Sequence, residues 1–200
     1  MDKVIERSLQ KAYSYNEYKE MIVSLLKEDK ATGNMQSPQM VDFTKLNQSR
    51  MKRLDKQTKL MDAAETKVQQ IDKDFTWLVL TESWCGDAAH TLPIINKLSE
   101  ANPRIDLKVV LRDENEDLMD QFLTNGTKSI PKLIALENHT GKVINSWGPR
   151  SKNAAQMVLD YKTQNGGIDE NFKKELQMWY HNDKGESIQK DMIDFLDEMI

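Results

Sequence analysis

Apolar runs alternate with helix-like segments in the middle of the chain. Residues 76–81 and 105–111 are short apolar runs, and each predicts a core strand. Between them, residues 88–101 have the apolar spacing of a helix, with Pro93 inside it. We therefore expect a strand, a helix and a second strand in that order.

The next segment predicts a short helix and a β-hairpin. Residues 117–125 indicate the helix, which Gly126 closes. The run 129–136 predicts a strand, and after a polar turn the run 143–147 predicts the strand that returns. A longer helix is predicted over residues 151–164.

The N-terminal part of the chain predicts helices alone. Residues 2–12 carry apolar positions at helical spacing. Ser14 and Glu17 form a capping-box pattern at the start of a second helix, which runs to about Asp29. After a loop, one long helix is predicted from residue 42 or 44 to about residue 72.

Two features of this long helix leave alternatives open. A seven-residue apolar repeat indicates a helix packed on the domain or a dimerising coiled coil, and the short seam favours the first. Residues 44–70 carry seven cations against three acids, a basic face that is either solvated or bound to an acidic partner. The repeat consists of Leu54, Met61 and Val68, and the cations are Lys45, Arg50, Lys52, Arg53, Lys56, Lys59 and Lys67.

The C-terminal part begins at a break, Gly166-Gly167. Helices are predicted over residues 169–180 and 187–199. The first of them has Phe172, Leu176 and Trp179 on one side.

These patterns divide the chain into three parts. Residues 1–73 form an N-terminal helical extension, and residues 74–165 form the α/β domain. Residues 166–200 form a C-terminal helical extension, which we expect to pack on the core.

Charge and composition narrow the class of protein. The net charge is −4, so nucleic-acid binding is not indicated. No apolar run is long enough to span a bilayer, and residues 1–7 lack the apolar region of a secretory signal. A single cysteine cannot form an intrachain disulfide and suits a reducing cytoplasm. We expect a cytoplasmic protein without membrane or nucleic-acid partners.

That single cysteine, Cys85, lies where a predicted strand passes into the first turn of a predicted helix. The free N–H groups and the dipole at a helix N-terminus stabilise a thiolate and lower the thiol pKa. Because the thiolate is the nucleophile, a chemical role is favoured over the alternative, a cysteine that only packs.

The order of these motifs resembles thioredoxin. The resemblance covers roughly residues 74–165, and the chain is most similar to bacterial thioredoxin-like proteins with a Trp-Cys-Gly-Asp-Ala core. It implies a thioredoxin fold, an α/β architecture with a central mixed sheet flanked by helices, here with extra helices at both ends. The motifs are Trp84-Cys85-Gly86-Asp87-Ala88, Pro93 eight residues after the cysteine, the strand at Pro131, and Trp147-Gly148-Pro149-Arg150.

Three departures from the thioredoxin pattern change the expected chemistry. Ala88 stands where the family has its second, resolving cysteine, and Val79 stands where it buries an acid. Asp87 replaces the usual proline of the motif, and a carboxylate beside the thiol would raise the thiol pKa, against the helix effect.

The resemblance and the local pattern also indicate residues that bind a substrate. Trp84 either contacts a partner or packs beside the motif, and Gly86 permits a tight turn and a close approach. Asp87 is either a general base or an acid stabilised by the helix dipole. Pro131 corresponds to the family's cis-proline, which would turn the Ile130 backbone toward an extended substrate or serve the fold alone.

The function we expect is monothiol thiol–disulfide exchange through Cys85 with a protein or low-molecular-weight thiol or disulfide. Without a second cysteine, release needs an external thiol such as glutathione, and dithiol CxxC chemistry is ruled out. The alternative is a non-catalytic thioredoxin-fold module that binds a protein or peptide, which Cys85→Ser would spare. The three histidines, at positions 90, 139 and 181, lack metal-site spacing, so we expect no metal and no other cofactor.

Overall fold

The computed structural model describes residues 2–200, which form a five-stranded sheet and nine α-helices. The strands are β1 (Tyr13–Ser14), β2 (Phe75–Thr81), β3 (Ile105–Leu111), β4 (Lys132–Glu137) and β5 (Lys142–Trp147). The helices are α1 (Lys3–Leu9), α2 (Tyr15–Lys27), α3 (Pro38–Gln57), α4 (Asp62–Gln69), α5 (Gly86–Glu100), α6 (Glu116–Gln121), α7 (Lys152–Asn165), α8 (Glu170–Asp183) and α9 (Glu186–Leu196). None of these described helices combines the length and apolar character needed to cross a membrane.

The sheet is mixed, with strand order β1-β3-β2-β4-β5. The central strand β2 runs parallel to β3 and antiparallel to β4, and its Val79 lies between Val109 and Leu133. The outer strands β1 and β5 pair antiparallel with β3 and β4. The predicted α/β class, with a central mixed sheet flanked by helices, is confirmed.

Both faces of β2 are buried because its side chains alternate between two apolar clusters. Trp77 and Val79 enter the larger cluster, to which helices of both terminal segments contribute. Leu78 and Leu80 enter the smaller one, covered by α1 and α6. Cys85 belongs to this smaller cluster, so the motif cysteine is placed at the edge of a core.

The capping residues predicted at the start of α2 are confirmed. The Ser14 hydroxyl accepts from the Glu17 N–H at 3.3 Å, and a Glu17 carboxylate oxygen accepts from the Ser14 N–H at 2.7 Å. The pair satisfies two N–H groups that the first turn would otherwise leave free.

The prediction of one long helix up to residue 72 is wrong, because the segment folds into α3 and α4. Gln189 of α9, which is 1 % exposed, holds the break between them. Its amide nitrogen donates to the Lys59 carbonyl at 3.3 Å, and its amide oxygen accepts from the Met61 N–H at 2.7 Å. Leu54 and Val68 therefore lie on different helices, and a continuous coiled-coil seam does not form.

Replacing Gln189 by Met tests this link. Two backbone groups would lose their partners, so we expect the free energy of unfolding to fall by about 1–3 kcal/mol. Urea unfolding measures the loss, and Lys190→Met, on the neighbouring exposed residue, should leave the midpoint unchanged. Equal midpoints for Gln189→Met and the wild type would show that the break forms without this side chain.

Candidate functional site

Cys85 lies where β2 passes into α5, as predicted. Its backbone is extended, and it serves as the N-cap of α5, whose first residue is Gly86. The Cys85 N–H donates to the Glu82 carbonyl at 3.1 Å, which forms the turn after β2. The sulfur therefore lies beside the free N–H groups of the first turn of α5.

The structure brings together Cys85, Ile130 and Pro131, three of the predicted site residues. The Cys85 thiol donates to the Ile130 carbonyl oxygen, with 3.4 Å between sulfur and oxygen. The Ile130–Pro131 peptide bond is cis. Cys85 is 8 % exposed and Ile130 is 7 % exposed, so the thiol and its partner are both nearly buried.

Burial decides the protonation state of the thiol. It raises the pKa of Cys85 to about 12, and the nearby Asp87 carboxylate adds to the rise. The N–H groups of Ala88 and Asp87, together with Arg150, lower the thiol pKa but do not compensate. The lowering expected from the helix N-terminus is thus outweighed, and Cys85 is a neutral thiol at pH 7 in this arrangement.

Asp87 is buried and takes part in a three-residue network. Its carboxylate forms an ion pair with Arg150 at 2.5 Å and accepts a hydrogen bond from the Tyr180 hydroxyl at 2.9 Å. Burial raises the pKa of the Asp87 carboxyl, while Arg150 and Tyr180 counteract the rise. Asp87 lies in the first turn of α5, where an acid complements the helix dipole, and the two predicted roles, general base and dipole-stabilised acid, both stay open.

Helix α8 covers the first turn of α5. A Cβ placed on Gly86 would lie 3.1 Å from the Gln177 amide nitrogen, so Gln177 packs directly on this glycine. The Gln177 amide oxygen lies 3.0 Å from His90 Nε2, and the Tyr180 ring stacks on the His90 ring with centroids 4.6 Å apart. Burial, and next the charge of Arg50, lowers the pKa of His90 to about 3, so its ring is neutral at pH 7.

Trp84, on the other side of the motif, is half-buried under the loop that precedes α3. Its indole N–H donates to the Thr32 carbonyl at 3.1 Å, and the Arg112 guanidinium lies 5.0 Å from the ring centroid. Thr32 also exchanges hydrogen bonds with Ser83. The N-terminal segment therefore helps to build the site, and Trp84 is partly occupied by contacts within the chain.

Sequence reasoning missed Arg150, Tyr180 and Gln177. Arg150 was placed only as the end of a family motif, and the stripe predicted for α8 had Trp179 where the structure buries Tyr180. The only signals were that Arg150 ends a motif and that Tyr180 is next to a residue of the predicted stripe. Neither indicates a contact with a residue far away along the chain.

Breaking the buried ion pair should be costly. Arg150→Met leaves the Asp87 carboxylate without its charge partner, and we expect unfolding free energy to fall by about 3 kcal/mol. In the double variant Asp87→Asn with Arg150→Met no charge is stranded, so the loss should be smaller than the sum of the two single losses. Urea unfolding of the four proteins measures the coupling, and strictly additive losses would contradict it. Lys152→Met, which breaks the exposed pair with Asp194, is the control and should leave the midpoint unchanged.

Comparison with known proteins gives the same architecture. The chain is similar to a protein of unknown function from Pseudomonas aeruginosa, with a TM-score of 0.59 and 19% identity over 94% of this chain and 99% of that one. It is also similar to an HIV epitope scaffold, with a TM-score of 0.55 and 19% identity over 92% and 98% of the two chains. At these identities the similarity shows the fold alone. Among curated proteins, none matches the chain significantly.

A family model described as Thioredoxin matches residues 33–165, more than half of the 200 residues. The match contains Cys85 and the cis-proline strand β4, and it begins before residue 74, so it also takes in α3 and α4. The chain belongs to the thioredoxin family.

Proposed function

We propose that this chain performs monothiol thiol–disulfide exchange through Cys85. One observation supports the proposal most: the sulfur lies at the N-terminus of α5, 3.4 Å from the Ile130 carbonyl that precedes the cis-proline. In this position a nucleophile, helix N–H groups and an extended backbone segment meet. An incoming disulfide could contact all three at once.

The chemistry requires two exchanges. The Cys85 thiolate attacks one sulfur of a disulfide, a mixed disulfide forms, and the other sulfur leaves as a thiolate. An external thiolate then attacks the partner's sulfur in the mixed disulfide and releases Cys85 as a thiolate. The net result is a new disulfide outside the protein, with no change in the redox state of Cys85. Because Cys85 is the only cysteine, no internal thiol competes with the external one.

Exchange also requires the side chains that cover the first turn of α5 to move away, so that a substrate can reach Cys85. With a thiol pKa of about 12, only about one molecule in 10⁵ carries the thiolate at pH 7. Gln177 and Tyr180 of α8 cover the first turn of α5, so we place the opening there. Water and substrate entering this space would relieve the desolvation that raises the thiol pKa.

A second candidate is the non-catalytic binding module. The burial of Cys85 and its raised pKa favour it, because a structural cysteine is buried and inert. In that case the thiol serves as a small packing residue and hydrogen-bond donor to Ile130. The two candidates differ in what happens when α8 is loosened.

The rate of iodoacetamide alkylation against pH separates them. For the wild type we expect the rate to rise about tenfold per pH unit from about pH 7 to 10 without a plateau, because the thiol pKa lies above this range. Gln177→Ala removes a side chain that covers Gly86, and it should raise the rate at pH 8 about tenfold. Met178→Ala, on an exposed neighbour in the same helix, should not change it. If Gln177→Ala reacts as slowly as the wild type, the proposed opening is wrong.

Trapping the mixed disulfide tests the chemistry itself. Incubation of native Gln177→Ala with a low-molecular-weight aromatic disulfide should give one adduct per chain by intact mass and one equivalent of released thiol. Added thiol should then remove the adduct. The Cys85→Ser variant should form no adduct, and it should unfold at the same urea concentration as the wild type. If only the denatured protein forms the adduct, the binding module becomes the better proposal.

A further inference from the structure

Two arginines on α3 are left without an acidic partner. Arg50 is half-buried, and its hydrogen bond runs to the Asn47 side-chain oxygen at 2.8 Å. Among residues 2–200, no carboxylate lies within 4.0 Å of the Arg50 or Arg53 side-chain nitrogens. Burial, and next the charge of Arg53, lowers the pKa of Arg50.

Burial distinguishes the arginines from the exposed cations of this stretch. Two cations three residues apart on a helix repel each other, and burial of one of them adds a desolvation cost. Of the lysines in the same stretch, Lys45 and Lys67 are paired with Asp29 and Asp197, and the unpaired ones are exposed to solvent, whereas both arginines are half-buried. An anion bound from outside would supply the missing partner for the arginines.

The arginines are linked to the Cys85 motif. Asn47, which holds Arg50, donates its other side-chain hydrogen bond to the Ser83 carbonyl at 2.9 Å, two residues before the cysteine. His90 of α5 lies close enough for both arginines to lower its pKa, after burial as the main cause. The cationic cluster therefore lies beside the site, on the side of α3.

The apolar residue Leu46 lies on the same side of α3 as the two arginines. Leu46 is 49 % exposed and precedes Arg50 by four residues and Arg53 by seven, so the three lie along one side of the helix. A single free ion would use the arginines alone, whereas a peptide could contact all three. The guanidinium group binds a carboxylate through two parallel hydrogen bonds, which lysine cannot do.

We infer that Leu46, Arg50 and Arg53 form a docking site for an acidic segment of a protein partner. Carboxylates of the segment bind the two guanidinium groups, and an apolar side chain beside them contacts Leu46. This site goes beyond thiol exchange and does not depend on whether Cys85 reacts. In either case it would hold a partner next to the Trp84-Cys85-Gly86 motif.

The probe for this site is a short synthetic peptide of alternating Glu and Leu, titrated into the full-length ¹⁵N-labelled protein at low ionic strength. We expect the largest amide and arginine side-chain shifts at Leu46, Arg50 and Arg53. The double variant Arg50→Gln with Arg53→Gln should weaken binding at least tenfold. The matched control, Lys52→Gln with Lys56→Gln, removes the same charge from the same helix and should weaken binding less than twofold.

Four outcomes would overturn the inference. Equal weakening by both double variants would mean general attraction to a basic face, and no shift at these residues would mean no site. Inorganic phosphate that produces the same shifts at the same concentration as the peptide would mean a simple anion site. Urea unfolding supplies a further check, since a docking role predicts that Arg50→Gln with Arg53→Gln is no less stable than the wild type. A lower midpoint would assign the arginines to the fold.

Discussion

The carboxylate of Asp87 lies nearly buried in the first turn of α5, beside the only thiol of the chain. A buried carboxylate requires a charge partner and hydrogen-bond donors, and Arg150 and Tyr180 supply them. Arg150 follows β5 and Tyr180 belongs to α8, so one side chain joins three parts of the fold. Through the Tyr180 hydroxyl, this contact joins α8 to the first turn of α5.

The same contact also influences the pKa of the thiol. The N-terminus of α5 lowers the thiol pKa, but the burial of Cys85 outweighs this effect. Asp87 adds a negative charge next to the sulfur. Burial and the Asp87 charge together raise the thiol pKa, whereas an activated cysteine depends on a lowered thiol pKa. Asp87 therefore adds to the burial that keeps Cys85 a neutral thiol, while its partner Arg150 offsets part of the effect.

The fold could be predicted from the sequence because its signals are local. The runs that became β2 and β3, the capping pair Ser14 and Glu17, and the strand-to-helix junction at Cys85 each depend on neighbouring residues. The contacts that were missed join residues far apart in the chain. Gln189 interrupts a continuous helical pattern from 128 residues away, and Tyr180 meets Asp87 from 93 residues away. No periodicity carries this information, since such contacts appear only after the elements have packed.

The Trp84-Cys85-Gly86 motif is adjacent to the cationic cluster of Arg50 and Arg53, so a partner bound at the cluster would also lie near the motif. His90 lies between them, neutral, stacked on Tyr180 and hydrogen-bonded to Gln177. Arg50 and Arg53 contribute to that neutrality, because their charge disfavours a protonated ring. Carboxylates bound to the arginines would offset their charge and make protonation of His90 less unfavourable. A protonated His90 could still donate to Gln177 but would make burial under Tyr180 more costly. Because burial is the main cause of the low His90 pKa, the ring would stay neutral at pH 7 even then, so docking at α3 would not by itself loosen α8 from the first turn of α5.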